Sequence, residues 1–286
     1  MTELRTALLA QRAELSARYP DAFRVNWRGR TKNLAWVGVL VGLYIFGLVT
    51  LDFDAARILT GLTRMGWIVA LMLPPSAGDW GRAWLYFDAL LQTLSIAFLG
   101  TSAAALLAIP LGFLAARNIV ANRVVHFLAR RGLDCVRSVD TLIWALIWIN
   151  VVGLGPFAGA LAIMSSDLAA FGKLMSEAIE TADRRPVEAI EASGGGRLAR
   201  IRFGIVPQVL PIFASQILYF FESNTRSATI IGIVGAGGIG LYLSEEIRVL
   251  EWQHAAFLIL MVLVTVAIID QLSQRLRAAI VGRRAG

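Results

Sequence analysis

Four polar residues directly follow an apolar run of the sequence: Glu222, Asn224, Arg226 and Ser227. Ionisable groups at membrane depth are unfavourable unless they pair or line a wet cavity, so these residues are a candidate translocation pathway or gate. The guanidinium of Arg226 suits the oxygens of an anion, and Glu222 could hold that guanidinium when no anion is bound. A purely structural interpretation, an ion pair that braces the end of a helix, is equally open.

A group of glycines comes next and predicts a hinge or a close approach of helices, at Gly235, Gly237, Gly238 and Gly240. Three of them also satisfy the G-x-G-x-x-G pattern of dinucleotide-binding proteins. That fold needs strands alternating with helices and an acidic residue about twenty positions later, and the sequence offers neither. The glycines therefore favour a role in helix packing or hinge motion.

Other chemistry has little support in the sequence. The single cysteine, Cys135, cannot form an intrachain disulfide, and the two histidines, His126 and His254, have no ligand-spaced partners for a metal. A phosphate-binding G-x-x-x-x-G-K-[ST] loop is absent, so we expect no cofactor in this chain and no ATP hydrolysis by it. A membrane enzyme would need a clustered acid, base or metal site, which the scattered carboxylates and histidines do not predict.

The composition predicts a membrane protein. Of 286 residues, 57% are hydrophobic and 16% charged, and the mean hydropathy is +0.66. A helix needs about 20 mostly apolar residues to cross a bilayer, so the chain has room for several spans and no large soluble domain. The formal net charge of +7 is better explained by basic residues in cytoplasmic loops than by binding to nucleic acid.

The hydropathy pattern predicts an all-α, polytopic transmembrane helical bundle of about six spans. The six runs are 34–51, 89–116, 136–152, 157–177, 205–221 and 255–269. Residues 66–73 are apolar but too short to cross, because prolines follow at once. Residues 228–243 contain five glycines, and we interpret them as a re-entrant or surface-packed loop.

Arginine and lysine set the expected orientation, because they accumulate in cytoplasmic loops. Segments 1–33, 117–137, 184–202 and 273–286 hold 7, 5, 5 and 4 of them. Both termini are therefore expected in the cytoplasm. The predicted organisation is a cytoplasmic tail with a possible interfacial helix at 2–19, a transmembrane domain that includes a cytoplasmic loop, and a basic cytoplasmic tail: 1–33, 34–272 with the loop 181–206, and 273–286.

The loop 181–206, with the residue that follows it, carries a short motif formed by Glu188, Ala189, Gly194 and Pro207. Its spacing resembles the EAA signature of binding-protein-dependent ABC importers, a helix–turn–helix element that precedes a membrane span, and this resemblance implies a bundle like that of type I ABC importer permeases. The resemblance implies that these four residues couple the chain to a separate ATPase, which would hold ATP and Mg. The alternative is a solvated, glycine-rich basic loop.

Two further runs resemble phosphonate permeases, residues 153–180 and 219–240, the second reading YFFESNTRSATIIGIVGAGGIG. Asp140 and Thr141 replace a family proline, and Ser165 and Ser166 lie where a histidine is common. These departures leave phosphite or phosphate possible as substrates besides phosphonates.

This resemblance implies an inner-membrane permease of bacteria, with no enzymatic activity of its own. It would work as a homodimer with two ATP-binding subunits and a periplasmic or extracellular binding protein, in a lipid bilayer and without nucleic acid. The rival interpretation is an ion-driven secondary transporter or channel for a small anion, which leaves the EAA-like motif unexplained.

Overall fold

The computed structural model describes residues 18, 27–120 and 122–282, and these residues form helices and connecting turns without a strand. The all-α prediction is confirmed. The chain divides into two compact units, residues 1–66 and 67–286. The interfacial helix expected at 2–19 lies outside the described residues, apart from Arg18.

Ten helices cover most of the described residues. They are α1 (Trp27–Thr50), α2 (Ala55–Leu71), α3 (Trp80–Ala115), α4 (Arg123–Arg137), α5 (Thr141–Val152), α6 (Pro156–Glu180), α7 (Arg184–Ala192), α8 (Arg197–Ala236), α9 (Ile239–Arg248) and α10 (Trp252–Gly282). Within α8, residues Arg200–Ile205 and Gly232–Ala236 have π-helical hydrogen bonding.

Five of these helices are long and apolar enough to cross a membrane: those containing Thr31–Thr50, Trp80–Ala115, Pro156–Glu180, Arg197–Ala236 and Trp252–Ile280. The pair α4 and α5 would make a sixth span, although the two helices meet at an angle of 88°. The prediction of about six spans is confirmed in number. Helix α2 has 17 residues, so the apolar run 66–73 belongs to a longer helix than its hydropathy indicated.

The predicted third span, 136–152, is wrong as a single straight helix. It straddles the sharp bend between α4 and α5, and Asp140 lies at that bend. The Asp140 carboxylate accepts a hydrogen bond of 2.8 Å from the amide of Leu142 and so caps the start of α5. A charged residue inside the apolar run therefore begins a new helix.

The predicted end of the fifth span at residue 221 is also wrong. Helix α8 runs past residue 221 to Ala236 and has 40 residues in total. At 1.5 Å per residue its length is about 60 Å, roughly twice the thickness of a hydrocarbon core. The segment 228–243 is correspondingly not a loop: it holds the end of α8 and the first turns of α9, with only Gly237 and Gly238 between them.

The core of the bundle is the contact between α3 and α6, where small residues let the two backbones approach closely. On α3 they recur every four residues at Gly100, Ala104, Ala108 and Gly112, all buried. A β-carbon added at Gly100 would lie 2.7 Å from Cβ of Ile163. Helix α6 also packs against α4, α5 and α8, so α3 and α6 form the frame that positions α8.

Candidate functional site

The segment at residues 183–208, which we call the coupling element, folds as a helix–turn–helix. The side chain of Asp183 accepts a hydrogen bond of 3.0 Å from the amide of Arg185 and caps α7, so this helix begins before Pro186. Gly194, at φ +81°, turns the chain after α7, because a residue without a β-carbon adopts this left-handed conformation without strain.

Helix α7 has an outer and an inner face. Glu188 and Ala189 are exposed, whereas Val187 and Ile190 point toward α8. Gly204 of α8 is buried under them, and a β-carbon there would lie 3.0 Å from Cγ2 of Val187. Gly204 thus provides the space in which α7 rests.

Polar contacts also fasten α7 to α8. The side chain of Gln208 accepts a hydrogen bond of 2.9 Å from the amide of Asp183, and donates bonds of 3.0 Å and 2.7 Å to the carbonyls of Asp183 and Gly204. Arg200 forms an ion pair of 2.9 Å with Glu191. Because both elements are held at several points, a displacement of α7 would be passed to α8.

Pro207 lies two residues after the end of the first π-helical stretch of α8, Arg200–Ile205. Proline has no amide hydrogen and its ring crowds the carbonyl four residues earlier, so a continuous helix can accept it where the hydrogen-bond spacing changes. The helix therefore continues from the coupling element into the bundle through Pro207. The motif residues Glu188, Ala189 and Gly194 all lie on α7 or its turn, beside this point.

Asn224 lies in the middle of the bundle and joins three helices. Its side-chain amide donates a hydrogen bond of 2.8 Å to Oγ1 of Thr101 on α3 and another to the carboxylate of Asp167 on α6. All three residues are buried, with exposed fractions of 6% for Asn224, 1% for Thr101 and 6% for Asp167. We call this trio the buried polar cluster; only Asn224 was singled out from the sequence.

Glu222 lies two residues before Asn224 and forms two ion pairs. Its carboxylate is 3.5 Å from Arg226, as the sequence predicted, and 3.1 Å from Arg277 on α10, which the sequence did not predict. The guanidinium of Arg277 also lies 5.9 Å from the ring centre of Tyr219. Glu222 is 9% exposed at its side chain and Arg226 is 53% exposed, so the carboxylate is buried and the arginine has room for another partner.

Ser227 does not join either group. Its hydroxyl contacts the carbonyl of Ser223 in the preceding turn, at 3.4 Å. The structure therefore separates the four predicted pathway residues: Glu222 and Arg226 form a charged pair, Asn224 belongs to the buried polar cluster, and Ser227 is bonded within its own helix.

Glycines at the end of α8, between the helices and at the start of α9 form the break between α8 and α9. Gly235, Gly237 and Gly238 have φ of +103°, +78° and +74°, which is the conformation that glycine adopts most easily. Gly240 is helical, and a β-carbon there would lie 1.9 Å from the Thr229 carbonyl oxygen. These positions therefore combine an irregular backbone with close packing.

Helix α3 holds this break in place. The amide of Gly238 donates 2.7 Å to the side-chain carbonyl of Gln92, and that of Ile239 donates 2.8 Å to the hydroxyl of Thr93. The apolar run before the glycines is helical, so the strand that a dinucleotide-binding fold requires is not formed there. In the described part of the chain, no group of three or more His, Cys, Asp or Glu side chains could hold a metal ion.

Comparison with known proteins gives consistent results. Residues 108–282 match a family model described as "Binding-protein-dependent transport system inner membrane component". The phosphite transport system permease protein PtxC of Stutzerimonas stutzeri is 35% identical over 257 residues, covering 89% of this chain and 91% of that protein. A protein of Escherichia coli K12, PhnE2, provisionally named a cryptic phosphonate transport system permease protein, is 48% identical over 117 residues, covering 41% of this chain and 96% of that protein.

Solved structures support the same fold. A chain of the MetNI methionine ABC transporter in inward-facing conformations superposes with a TM-score of 0.61 at 17% sequence identity, covering 71% of this chain and 99% of that chain.

Proposed function

Because the chain belongs to the binding-protein-dependent transport system inner membrane components, we propose that it is the membrane-spanning subunit of an ATP-driven importer for phosphonates or a related phosphorus oxyanion such as phosphite. The substrate class is supported by the names of the relatives, which specify phosphite and phosphonate transport. The departures at Asp140 and Ser165 from the phosphonate permeases leave the choice among these anions open.

One observation carries the proposal: a single helix, α8, connects the coupling element with the charged pair and the buried polar cluster. The exposed Glu188 and Ala189 would dock into a groove of a separate ATPase. Gly204 and Gln208 fasten that docking helix to α8, and Glu222 and Asn224 lie further along the same helix. Movement of the ATPase would therefore reach the pathway through one continuous helix.

The charged pair suits an anion pathway. The exposed guanidinium of Arg226 can bind the oxygens of a phosphorus oxyanion, while Glu222 remains held by Arg277 on α10. An anion would thus draw Arg226 away from Glu222 without leaving a buried carboxylate unpaired. ATP and substrate would shift the chain between inward-facing and outward-facing states by stabilising them unequally.

The proposed assembly contains two copies of this chain, two ATP-binding subunits with ATP and Mg, and a periplasmic or extracellular binding protein. It lies in the bacterial inner membrane with both termini in the cytoplasm, as the distribution of basic residues indicates. The chain itself would hold no cofactor and catalyse no reaction.

The test is to co-express the chain with the ATPase and binding protein encoded beside it and to measure ATP hydrolysis by the purified complex. Phosphonate-loaded binding protein should stimulate hydrolysis, and Glu188→Ala should abolish the stimulation. Glu245→Ala, which removes an exposed glutamate of α9, should still retain the ATPase subunits. If no ATPase co-purifies and transport follows a proton or sodium gradient, the chain is an ion-driven transporter and the proposal fails.

A further inference from the structure

Helix α4 has the surface of a helix that lies at a membrane boundary. It follows the apolar helix α3 and precedes the apolar helix α5, to which it is bent by 88°. Three of its apolar side chains are largely exposed, Val124 at 64%, Phe127 at 58% and Leu128 at 63%, while Leu133 is buried against the bundle. Basic residues lie among the exposed apolar ones, the combination typical of interfacial helices.

A cavity of about 510 Å³ opens beside the first turn of α4. It is lined by Arg117 and Val120, which precede the helix, and by Arg123, His126 and Phe127 on it. Two guanidinium groups, an imidazole and two apolar side chains therefore meet in one space. Such a lining suits a molecule with an anionic group next to a hydrocarbon part.

His126 has a buried donor without an acceptor. Nε of Arg117 lies 3.2 Å from Nε2 of His126, and because an arginine can only donate, Nε2 must accept. The ring proton of the neutral imidazole is therefore on Nδ1. Nδ1 is buried and has no hydrogen-bond partner among the residues that the structure describes. A buried donor of this kind calls for an acceptor from beyond the described residues.

The arginines of the cavity also have no counter-charge among the residues that the structure describes. In the described ranges, neither the Arg117 nor the Arg123 guanidinium pairs with a carboxylate, whereas Arg130 of the next turn is paired with Glu180 at 3.3 Å. Amide groups at the start of α4 are occupied, because the side chain of Asn122 accepts from two of them. The unsatisfied groups of the cavity are thus side chains.

We propose that this cavity binds the phosphate group of an anionic membrane phospholipid. Arg117 and Arg123 supply the positive charge, Nδ1 of His126 donates to a phosphate oxygen after the ring turns and exposes it to the cavity, and Phe127 contacts the glycerol and acyl region. The lipid would lie beside the coupling element, because the guanidinium of Arg197 donates to the carbonyl of Ile119 in the same connection. This site is separate from the transport pathway and does not depend on the identity of the transported anion.

Native mass spectrometry of the purified full-length chain tests the proposal directly. With phosphatidylglycerol present, the wild-type chain should retain one lipid, and the double variant Arg117→Gln/Arg123→Gln should lose about tenfold or more of that occupancy, since each basic contact with an anionic lipid contributes substantially. Arg131→Gln/Arg137→Gln is the matched control, because it removes two exposed arginines from the same helix. Equal loss in both variants means diffuse attraction and overturns the site.

Thermal unfolding of the wild-type chain tests the same idea without a variant. A ligand that binds only the folded state raises the midpoint, so phosphatidylglycerol should raise Tm and phosphatidylcholine at the same concentration should not. The rise should disappear in Arg117→Gln/Arg123→Gln. No difference between the two lipids overturns the proposal. Displacement of the lipid by millimolar inorganic phosphate also overturns it and assigns the cavity to a free anion.

Discussion

The side-chain amide of Asn224 on α8 donates a hydrogen bond to the carboxylate of Asp167 on α6, in the buried centre of the bundle. The same amide also bonds Thr101 on α3, so one residue of the long helix is fixed to both helices of the frame. The coupling element includes the first turns of α8 and so lies at the start of the same helix. A movement of α8 that begins at the coupling element must either keep these hydrogen bonds or break them. The hydrogen bonds of Asn224 can therefore oppose a conformational change while they are kept, and permit it when they break.

The contact between Asp167 and Asn224 predicts different effects for two substitutions that interconvert acid and amide. Asp167→Asn keeps an oxygen that can accept from Asn224, so we expect a loss below about 1 kcal/mol, since polar contacts inside membrane proteins are individually modest. Asn224→Asp instead places two carboxyl groups together and removes the donor. It should lower the free energy of unfolding by about 1–3 kcal/mol.

Thermal unfolding of the detergent-purified variants measures both effects, and Ser95→Ala is a control, because its exposed hydroxyl bonds only the preceding turn of α3. Equal losses for the two substitutions would show that the hydrogen bond does not hold these helices together.

The ion pairs of Glu222 predict unequal losses of stability when Arg277 is replaced and when Glu222 itself is replaced. Arg277→Gln leaves a buried carboxylate with only Arg226, at 3.5 Å, whereas Glu222→Gln leaves two arginines that are partly hydrated. We therefore expect Arg277→Gln to destabilise more than Glu222→Gln. The double variant should recover part of the loss, with a coupling energy of about 0.5–3 kcal/mol.

A double-mutant cycle on thermal unfolding gives this coupling energy, and Arg275→Gln, at an exposed position of α10, controls for the loss of one positive charge. Additive effects would mean that Glu222 and Arg277 do not act as a pair in the membrane.

A glycine in a close helix contact and a glycine with no neighbouring atoms predict stability changes of opposite sign when each is replaced by alanine. At Gly112 of α3 a β-carbon would lie 2.6 Å from Met175 on α6, so Gly112→Ala should overpack the core and destabilise by about 1–3 kcal/mol. At Gly132 of α4 no atom lies within 4 Å of the added carbon, and Gly132→Ala should stabilise by about 0.5–1 kcal/mol through helix propensity. Unfolding midpoints of both variants check this, and the same sign at both positions would contradict the close packing of α3 on α6.

Hydropathy predicted the apolar spans well where the helices face lipid along most of their length. It failed on α8 because Glu222, Asn224 and Arg226 look like the end of a membrane segment, although two of them are buried against α3, α6 and α10. Segment 228–243 was interpreted as a loop because five glycines in sixteen residues argue against a regular helix, although Gly232 and Gly240 lie in helices.

The candidate site was recovered only in part. Motif spacing found the residues of α7, because a short helix–turn–helix is a local structure. Asp167 was missed, although a single acidic residue within the apolar run of α6 is itself a signal of a buried polar contact. Arg277 could not be predicted, since its contact with Glu222 joins positions 55 residues apart and depends on how α10 lies against α8.

The contact between α7 and α8 predicts that a substitution at Gly204 weakens binding of the ATPase. A valine at Gly204 would push against Val187, whose Cα is 3.2 Å from the added β-carbon, so Gly204→Val should shift α7 and weaken binding of the ATPase. Gly196→Val is the matched control, because its β-carbon meets nothing within 4 Å and its φ of −69° suits any residue. Pull-down of the ATPase with membrane-inserted chain should fall several-fold for the first variant and stay unchanged for the second. Equal recovery of the ATPase would mean that α7 can move away from α8 without losing its partner, and the coupling route through Gly204 would have to be abandoned.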